Sequence, residues 1–412
     1  MDWRIDHPCP QCGGPVTLEE TDRVLACPFC KVRLHITSRG PFRYCMDLGE
    51  QADEVVYVPY WRFKGTLFSA AVDKINNKLL DSSTQAASLD YAPMTLGLRP
   101  QLLHLRFATR EVPGSYVAPD IPFKDALKAI EINLRLAQVD AYKEESFEKA
   151  YIGDNTSIIY APFFIKGGQL FDAVLKKPVG RLPEDAQMLD PNLLSNHKWS
   201  PNFLSAMCPH CGWDVAGETD SCVFLCQNCE KAWRPKDEGF KRVTVQTIGE
   251  LEKNGKYLPF WRIKAKVEGL NLASVADMVR AANLPKAITE EMENQEFFFW
   301  IPAFKVNPQL FVRLARHITS TPFPGELKDK LPQGETHPVN LPLSEAAQSL
   351  KICIASFVKP RQTMVMMLPE ITVTPQKGSL VYVPFARQGA EFVHRQMNFS
   401  VNSRALYYGR EM

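Results

Sequence analysis

Eight of the eleven cysteines fall into two sets of four with identical spacing. The first set is Cys9, Cys12, Cys27 and Cys30, and the second is Cys208, Cys211, Cys226 and Cys229. In both sets two C-x2-C turns, which we call knuckles, are separated by fourteen residues. One knuckle directs two thiolates at an ion, and two knuckles complete a tetrahedral site of four sulfur ligands. The spacing predicts two structural metal sites, and zinc is the expected ion.

Other roles of paired cysteines fit these sets less well. Disulfides are typical of exported proteins, and the start of the chain, Met1-Asp2-Trp3-Arg4, has no signal-peptide pattern. A thioredoxin-like site uses one C-x2-C pair, whereas these pairs come in fours. Iron remains an alternative to zinc because a tetrahedral four-sulfur site suits both ions. An iron-based electron carrier is therefore one alternative function.

Three other cysteines and three nearby histidines are not members of the two sets. Three cysteines are left over and are expected to be free buried thiols: Cys45, Cys222 and Cys353. Three histidines lie within or beside the sets: His7, His35 and His210. Because each set already supplies four ligands, we expect these histidines to neighbour the metal sites rather than to bind the ions.

The segments around the knuckles have the pattern of short hairpins. Gly13 and Gly212 follow a knuckle at the position where a tight turn needs positive φ. Pro15–Glu19 and Arg23–Ala26 flank a turn and are expected to pair with each other. This arrangement resembles the zinc ribbon, the four-cysteine module of TFIIB-like and rubredoxin-like proteins. The resemblance implies a closed metal site and leaves the function open.

Similar segments recur in the same order along the chain. Tyr57–Lys64 (YVPYWRFK) matches Tyr257–Lys264 (YLPFWRIK), and Tyr160–Phe163 (YAPF) matches Tyr382–Phe385 (YVPF). The pattern predicts a tandem duplication. Prolines and asparagines between residues 180 and 201 mark the boundary between the halves. We divide the chain into zinc ribbon 1 (1–40), α+β body 1 (41–185), a linker (186–199), zinc ribbon 2 (200–240) and α+β body 2 (241–412).

The bodies are expected to be rich in antiparallel strands, with one or two helices each. Val55–Phe68 alternates in polarity with period two, as a half-buried strand does, and the second half repeats the pattern. Helical spacing predicts helices over Asp125–Val139 and Ser344–Val358, the latter with Ser344 as N-cap candidate. A further helix is expected over Ser274–Asn283. The predicted fold class is α+β.

The repeated strand also supplies a candidate partner-binding face. Arg62 and Lys64 would share a face with Tyr60, and an aromatic and basic face suits nucleic acid or an acidic partner strand. The second copy offers the corresponding residues Phe260, Arg262 and Lys264. The alternative is a core tryptophan whose basic neighbours point into solvent, which is the commoner arrangement.

Composition places the chain among ordinary globular proteins. It has 412 residues, of which 45% are hydrophobic and 23% charged, and a net charge of +2. Such a charge provides no field that would attract nucleic acid or acidic lipid. No stretch approaches the ~18 apolar residues of a membrane span. We expect a cytoplasmic protein.

No catalytic motif is recognisable, so the expected function is not enzymatic. The favoured interpretation is a zinc-binding adaptor or scaffold that docks protein partners in a larger assembly. A nucleic-acid-binding accessory protein is the alternative, although acidic residues dilute the basic ones in both ribbons. The ribbon followed by an aromatic-x-Pro-aromatic-Trp strand resembles bacterial zinc-ribbon proteins, some of which accompany membrane-scaffolding proteins. The resemblance implies such a partner, but this chain lacks the transmembrane segments that several of them carry.

Overall fold

The computed structural model describes residues 4–46, 48, 55–97, 104–136, 147–183, 194, 198–321 and 325–410. The strands of the first half are β1 Arg4–Pro8, β2 Pro15–Glu19, β3 Val24–Ala26, β4 Arg33–Thr37, β5 Phe42–Met46, β6 Val56–Ala70, β7 Ile75–Gln85, β8 Leu105–Phe107, β9 Ser115–Tyr116, β10 Glu148–Lys166, β11 Gln169–Asp172 and β12 Lys177–Arg181. Those of the second half are β13 Asn202–Ser205, β14 Phe224–Cys226, β15 Lys231–Lys236, β16 Gly239–Val243, β17 Val245–Ile248, β18 Lys256–Glu268, β19 Phe299–Pro302, β20 Leu327–Lys328, β21 Thr372–Gln388, β22 Glu391–His394 and β23 Phe399–Asn402.

The helices lie mostly in the second half. They are α1 Phe123–Leu136, α2 Val275–Ala281, α3 Glu290–Asn294, α4 Pro308–Ser320, α5 Leu343–Gln348, α6 Leu350–Phe357, α7 Arg361–Met366 and α8 Ser403–Gly409. None of the helices in the described part of the chain is long and apolar enough to cross a membrane. The described residues are mostly β-structure, which agrees with the α+β class at the level of secondary structure.

Each half is organised around one long antiparallel strand pair. In the first half β6 pairs with β10, and β5 runs parallel to β10. In the second half β18 pairs with β21, and β17 runs parallel to β21. The repeated tryptophans occupy the same place in both pairs: Trp61 lies opposite Ile158, and Trp261 lies opposite Leu380. The alternating pattern thus correctly predicted the strands that carry both tryptophans.

The strand pairing that was predicted for the hairpin of ribbon 1 is wrong. Pro15–Glu19 pairs with β1, and Val24–Ala26 pairs with β4, so the two segments belong to different hairpins. The first of these hairpins also extends the sheet of body 1, because β1 runs parallel to β8 with Ile5 opposite Leu105. Ribbon 1 is therefore continuous with the ten-stranded sheet that contains β6 and β10.

The helix predictions differ in their outcomes. The helix predicted over Ser274–Asn283 is α2 (Val275–Ala281), and the Ser274 side chain caps it by accepting a hydrogen bond from the backbone N–H of Asp277. The helix predicted to start at Asp125 is α1, and the end predicted at Val139 lies outside the described residues. Ser344 is not an N-cap, because the helix begins one residue earlier, after Pro342.

The helix predicted over Ser344–Val358 is divided into α5 and α6 at Ser349. The Ser349 hydroxyl donates to the carbonyl of Ala346 at 2.7 Å, and the Ser349 backbone N–H donates to the same carbonyl at 3.2 Å.

The two halves share a hydrophobic core. Phe68 on β6 and Ile152 on β10 pack in the same buried cluster as Phe311 on α4. Polar contacts cross the same junction, since Gly153 N–H donates to Glu345 Oε2 at 2.8 Å. The far ends of β6 and β10 therefore pack against the helices of body 2.

Candidate metal centres

Each knuckle is held at the tip of a hairpin. In ribbon 1 the first knuckle joins β1 to β2 and the second joins β3 to β4. Gly13 N–H donates to the Cys9 carbonyl at 2.8 Å, and Lys31 N–H donates to the Cys27 carbonyl at 3.1 Å. In ribbon 2 the second knuckle joins β14 to β15. The knuckle backbones are therefore fixed by local hydrogen bonds.

The sulfur atoms lie at distances that suit one ion per cluster. The Cys9 and Cys30 sulfurs are 3.8 Å apart, and those of Cys12 and Cys27 are 3.6 Å apart. The corresponding pairs of the second cluster are both separated by 3.5 Å. A tetrahedron with zinc–sulfur distances of about 2.3 Å has edges of about 3.8 Å. Both predicted ligand sets are thus brought together, each with its four sulfurs within 4.8 Å of one another.

The residue after each knuckle has a left-handed backbone. The two glycines predicted for this role have φ values of 73° at Gly13 and 72° at Gly212. The other two knuckles use non-glycine residues, with φ of 61° at Lys31 and 52° at Glu230. Sequence reasoning missed Lys31 and Glu230, although their position relative to the cysteines is the same as that of the glycines. All four knuckles therefore share one turn geometry.

Hydrogen bonds favour the thiolate form of Cys27 in the first cluster and of Cys208 and Cys211 in the second. Burial raises the pKa of the Cys27 thiol, but hydrogen bonds from the backbone, including that of Cys30, outweigh it and lower the pKa to about 6. The Asn228 side chain is the main cause that lowers the pKa of Cys211 to about 6. Burial and the neighbouring sulfurs raise the pKa of Cys229 to about 12. Four thiolates together therefore need the charge of a bound cation.

The two ribbons are joined through a shared sheet. β13 of ribbon 2 pairs antiparallel with β4 of ribbon 1, with Phe203 opposite Ile36. The guanidinium Nη2 of Arg33 donates to the Gly217 carbonyl at 2.6 Å. These contacts cross from one ribbon to the other, so the two metal clusters belong to one structural unit. The spacing of the cysteines contained no signal for this strand pairing.

His35 lies inside the junction between the ribbons. Its ring centroid is 4.0 Å from that of Phe224 and 5.3 Å from that of Phe240. Neither ring nitrogen has a hydrogen-bond partner among the described residues. Burial lowers the pKa of His35 to about 4, so the ring is neutral near pH 7 and packs as an apolar group.

The remaining cysteines and histidines do not belong to the two sulfur clusters. Cys45 and Cys353 are buried, and burial raises the pKa of the Cys353 thiol to about 12. Cys222 is only partly buried, which differs from the prediction of a buried thiol. His210 is exposed and His7 is partly buried. Within the described residues, the ligand candidates are the eight cysteines alone.

The candidate partner-binding face is not an open surface. Tyr60 and Phe260 have no exposed area, and Arg62 is only 2% exposed. An alternating pattern cannot distinguish a strand with one buried face from a strand covered on both faces. These three residues lie in the core, so the prediction that they form a surface face is wrong for them.

The other three residues of that face are partly buried and contact neighbours within the chain. Lys64 Nζ lies 3.3 Å from Glu20 Oε2, and Lys264 Nζ lies 3.0 Å from Glu296 Oε1. The guanidinium of Arg262 stacks 3.3 Å from the ring centroid of Phe298. The face therefore makes intramolecular contacts along both strands.

Large apolar side chains are exposed near the knuckles. Phe29, between the second pair of ligands in ribbon 1, is 61% exposed. In ribbon 2, Trp213 is 64% exposed and Met207 is 51% exposed. Met207 forms a β-bridge with Asp214, the residue after Trp213, so both apolar residues flank the first knuckle of ribbon 2. Sequence reasoning did not single out these residues.

The chain matches no protein family model, and comparison with curated proteins and with solved structures found no match. The resemblance to zinc ribbons therefore rests on the cysteine geometry. That geometry supports a metal-binding protein with two four-cysteine sites.

Proposed function

We propose that the protein is a non-catalytic zinc-binding adaptor that docks a protein partner through its joined ribbons. The observation that carries the proposal is the pairing of β4 with β13, which holds two four-sulfur clusters in one unit. Four sulfur ligands fill a tetrahedral zinc coordination sphere and leave no position for a substrate. Bound zinc would fix the knuckles and so the surface around them.

The exposed apolar side chains are the docking surface that we assign to this unit. Exposed aromatic residues are enriched where proteins bind each other. Trp213 and Met207 flank the first knuckle of ribbon 2, and Phe29 lies on a knuckle of ribbon 1. A metal-fixed backbone would present such side chains at little entropic cost. A protein with an apolar pocket is the expected partner.

The ribbon arginines favour a protein partner over nucleic acid. Arg33 donates to the Gly217 carbonyl, and Arg39 Nη2 lies 2.5 Å from Glu238 Oε1. Arg23 Nη1 donates to the Glu20 carbonyl at 3.3 Å. Phosphate binding needs cations that are available together along one face. These three arginines are instead engaged in contacts within the protein.

We further propose that the two halves arose by duplication. The indole N–H of Trp61 donates to the Ile121 carbonyl at 2.7 Å, and that of Trp261 donates to the Leu341 carbonyl at 2.8 Å. The long strand pairs also have irregular registers at matching places, next to Gly65 in the first half and next to Ala265 in the second. Matched registers and matched indole contacts support a common origin.

Metal analysis of the native protein is the first test. We expect two zinc ions per chain and a colourless protein. Two iron ions with a reversible redox transition would instead support the electron carrier. A chain that binds fewer than two ions after purification without chelators would contradict the joined metal unit.

Photocrosslinking tests the docking surface. A photoreactive amino acid at position 213 is expected to capture one protein in cells, with the product unaffected by nuclease. Position 288 is the matched control, because Ile288 is also an exposed apolar residue but lies outside the ribbons. The proposal fails if both positions capture the same proteins, or if nuclease removes the product of position 213.

A further inference from the structure

Arg62 and Arg262 occupy the same place in the two repeated strands, but their surroundings differ. In the first half Asp81 lies two residues before the residue opposite Arg62, and its carboxylate accepts two hydrogen bonds from that guanidinium. In the second half Trp300 lies opposite Arg262, and the residue two positions before Trp300 is Phe298. An aromatic ring therefore occupies the place where the first half has a carboxylate.

The hydrogen-bond donors of the Arg262 guanidinium are not used within the protein. No hydrogen bond or ion pair joins this side chain to another residue in the described part of the chain. Its stacking on Phe298 engages the flat face of the guanidinium, whereas the five N–H groups of an arginine lie in the plane and point outward. Burial lowers the pKa of Arg262, with an opposing effect from Glu296. The buried part of this cation thus lacks a bonded anion.

The charges around Arg262 favour one further negative charge. Glu296 is the carboxylate that acts on Arg262, and its Oε1 lies 3.0 Å from Lys264 Nζ. Lys264 is the main cause that lowers the pKa of Glu296, and Arg262 and Lys377 also lower it. Three cations therefore act on one carboxylate, so a singly charged anion beside Arg262 would meet a favourable potential.

A pocket of about 120 Å³ lies beside Arg262 in body 2. Its lining is mainly apolar and includes the buried side chains of Ile248 and Met278, together with Trp300. Among the described residues, Arg262 and Glu296 are the charged ones that line it. Small-molecule sites typically combine an apolar lining with a few polar groups. Since a cavity of about 150 Å³ holds benzene, this pocket has room for a group of only a few carbon atoms.

We propose that this pocket binds a small-molecule monocarboxylate that carries a short apolar group. The carboxylate would accept two parallel hydrogen bonds from Arg262, in the fork geometry that Asp81 forms with Arg62. The apolar group would lie against Ile248 and Met278. None of the lining residues belongs to a ribbon, so this site is separate from the metal clusters and from the docking surface.

Titration of butyrate into the full metal-loaded chain tests the site. Met278 lines the pocket, so the resonance of its isotope-labelled methyl group reports binding. We expect this resonance to shift in a saturable way. Butyramide has the same shape without the charge, and it should bind about tenfold or more weakly because the charge-assisted hydrogen bonds are lost. A shift that does not saturate, or equal affinities for the two compounds, would overturn the proposal.

Arg262→Gln should weaken butyrate binding by about tenfold or more. Arg313→Gln is the matched control, because Arg313 also lies over an aromatic ring, at 5.2 Å from that of Phe399, but outside the pocket. The control should bind butyrate as the wild-type protein does. Equal affinities for the two variants would contradict the assignment of the carboxylate to Arg262.

Glu296→Gln tests the same site through an increase in affinity. Removal of the carboxylate beside Arg262 should strengthen butyrate binding by about two- to fivefold. Because Glu296 is exposed, its substitution leaves the core intact and remains informative if Arg262→Gln fails to fold. Unchanged or weaker binding by this variant would overturn the charge argument on which the site rests.

Two competitors test the chemical class of the ligand. Inorganic phosphate carries more negative charge next to Glu296, and a blocked glutamyl peptide presents the same carboxylate on a protein-like chain. Butyrate should bind more tightly than either of them. Tighter binding of phosphate would overturn the assignment to a carboxylate, and tighter binding of the peptide would replace the small molecule by an acidic side chain of a protein.

Discussion

Asp81 holds the guanidinium of Arg62 through two parallel hydrogen bonds, from Nε to Oδ1 at 2.6 Å and from Nη2 to Oδ2 at 2.7 Å. The remaining terminal nitrogen, Nη1, pairs with Glu20, which is 5% exposed. Burial lowers the pKa of Arg62, but the two carboxylates outweigh it and raise the pKa. The network connects β6, β7 and the turn after β2, so it joins ribbon 1 to body 1.

Arg62→Ala is expected to destabilise the protein. The substitution leaves the Glu20 carboxylate buried without its main cation, which costs about 3–5 kcal/mol. Chemical unfolding followed by tryptophan fluorescence measures the shift of the midpoint.

Arg262→Ala is the matched control for that substitution. Arg262 occupies the same place in the repeated strand, but it is only partly buried and stacks on Phe298. Loss of a stacked and partly solvated cation costs about 1 kcal/mol. Equal midpoints for the Arg62 and Arg262 variants would contradict a structural role for the buried network.

Loss of one metal is expected to affect both ribbons. Cys12→Ser should lower the metal content from two ions to one, because structural zinc sites supply much of the folding free energy of their ribbon. Since β4 pairs with β13, hydrogen exchange should accelerate in Asn202–Ser205 of ribbon 2 as well as in ribbon 1. Exchange in the strand Lys256–Glu268 of body 2 should change less.

Cys222→Ser serves as the control for metal loss. Cys222 lies within ribbon 2 but outside the four-sulfur cluster. Its substitution should leave two ions per chain and an unchanged exchange pattern in β4. If Cys12→Ser left β13 fully protected, the two ribbons would be independent units.

Local patterns predicted the metal centres and the tryptophan strands, because both depend on residues close in sequence. A knuckle spans four residues, and the polarity that alternates along Val55–Phe68 indicates a strand, which the structure has at Val56–Ala70. The partners of Arg62 could not be predicted, since Glu20 and Asp81 come from other strands and turns. The sequence pattern of an alternating strand is the same whether a basic side chain on it is solvated by water or paired with a buried carboxylate.

The contact between the ribbons could not be predicted from the sequence either. Strand β13 pairs with a strand more than 160 residues earlier, and nothing in the four residues Asn202–Ser205 specifies that partner. The break at Ser349 was missed because the apolar spacing continues through it from one helix into the next. Sequence patterns therefore predicted elements better than they predicted which elements meet.

His337 is expected to make stability depend on pH. The side chain is 4% exposed, its ring packs 5.1 Å from that of Phe304, and its Nε2 has no hydrogen-bond partner in the described part of the chain. Burial lowers the pKa of His337 from 6.5 to about 3. The unfolded chain binds a proton below pH 6.5 whereas the folded chain does not, so stability falls as the pH decreases from 6.5 towards 3.

His337→Phe should remove this contribution. At pH 5 the wild-type protein loses about 2 kcal/mol relative to pH 7 through this group, and the variant should not. Unfolding midpoints measured between pH 7 and 5, with the metal content checked at each pH, give the comparison. Parallel pH profiles for the two proteins would show that His337 does not titrate in this way.

Gly65 lies on β6 directly against the backbone of β10. A Cβ atom at this position would lie 2.6 Å from the Ile152 carbonyl oxygen and 2.8 Å from the Cα of Gly153. Both are backbone atoms, so the clash cannot be relieved by rotation of a side chain. Gly65→Ala is therefore expected to destabilise the protein by about 1–3 kcal/mol.

Gly239→Ala is the control, because a Cβ atom at that position would meet nothing within 4 Å. This substitution should change the stability by less than about 0.5 kcal/mol. Thermal unfolding of the two variants side by side measures the difference, and equal stability would mean that β6 and β10 can separate locally without loss of packing.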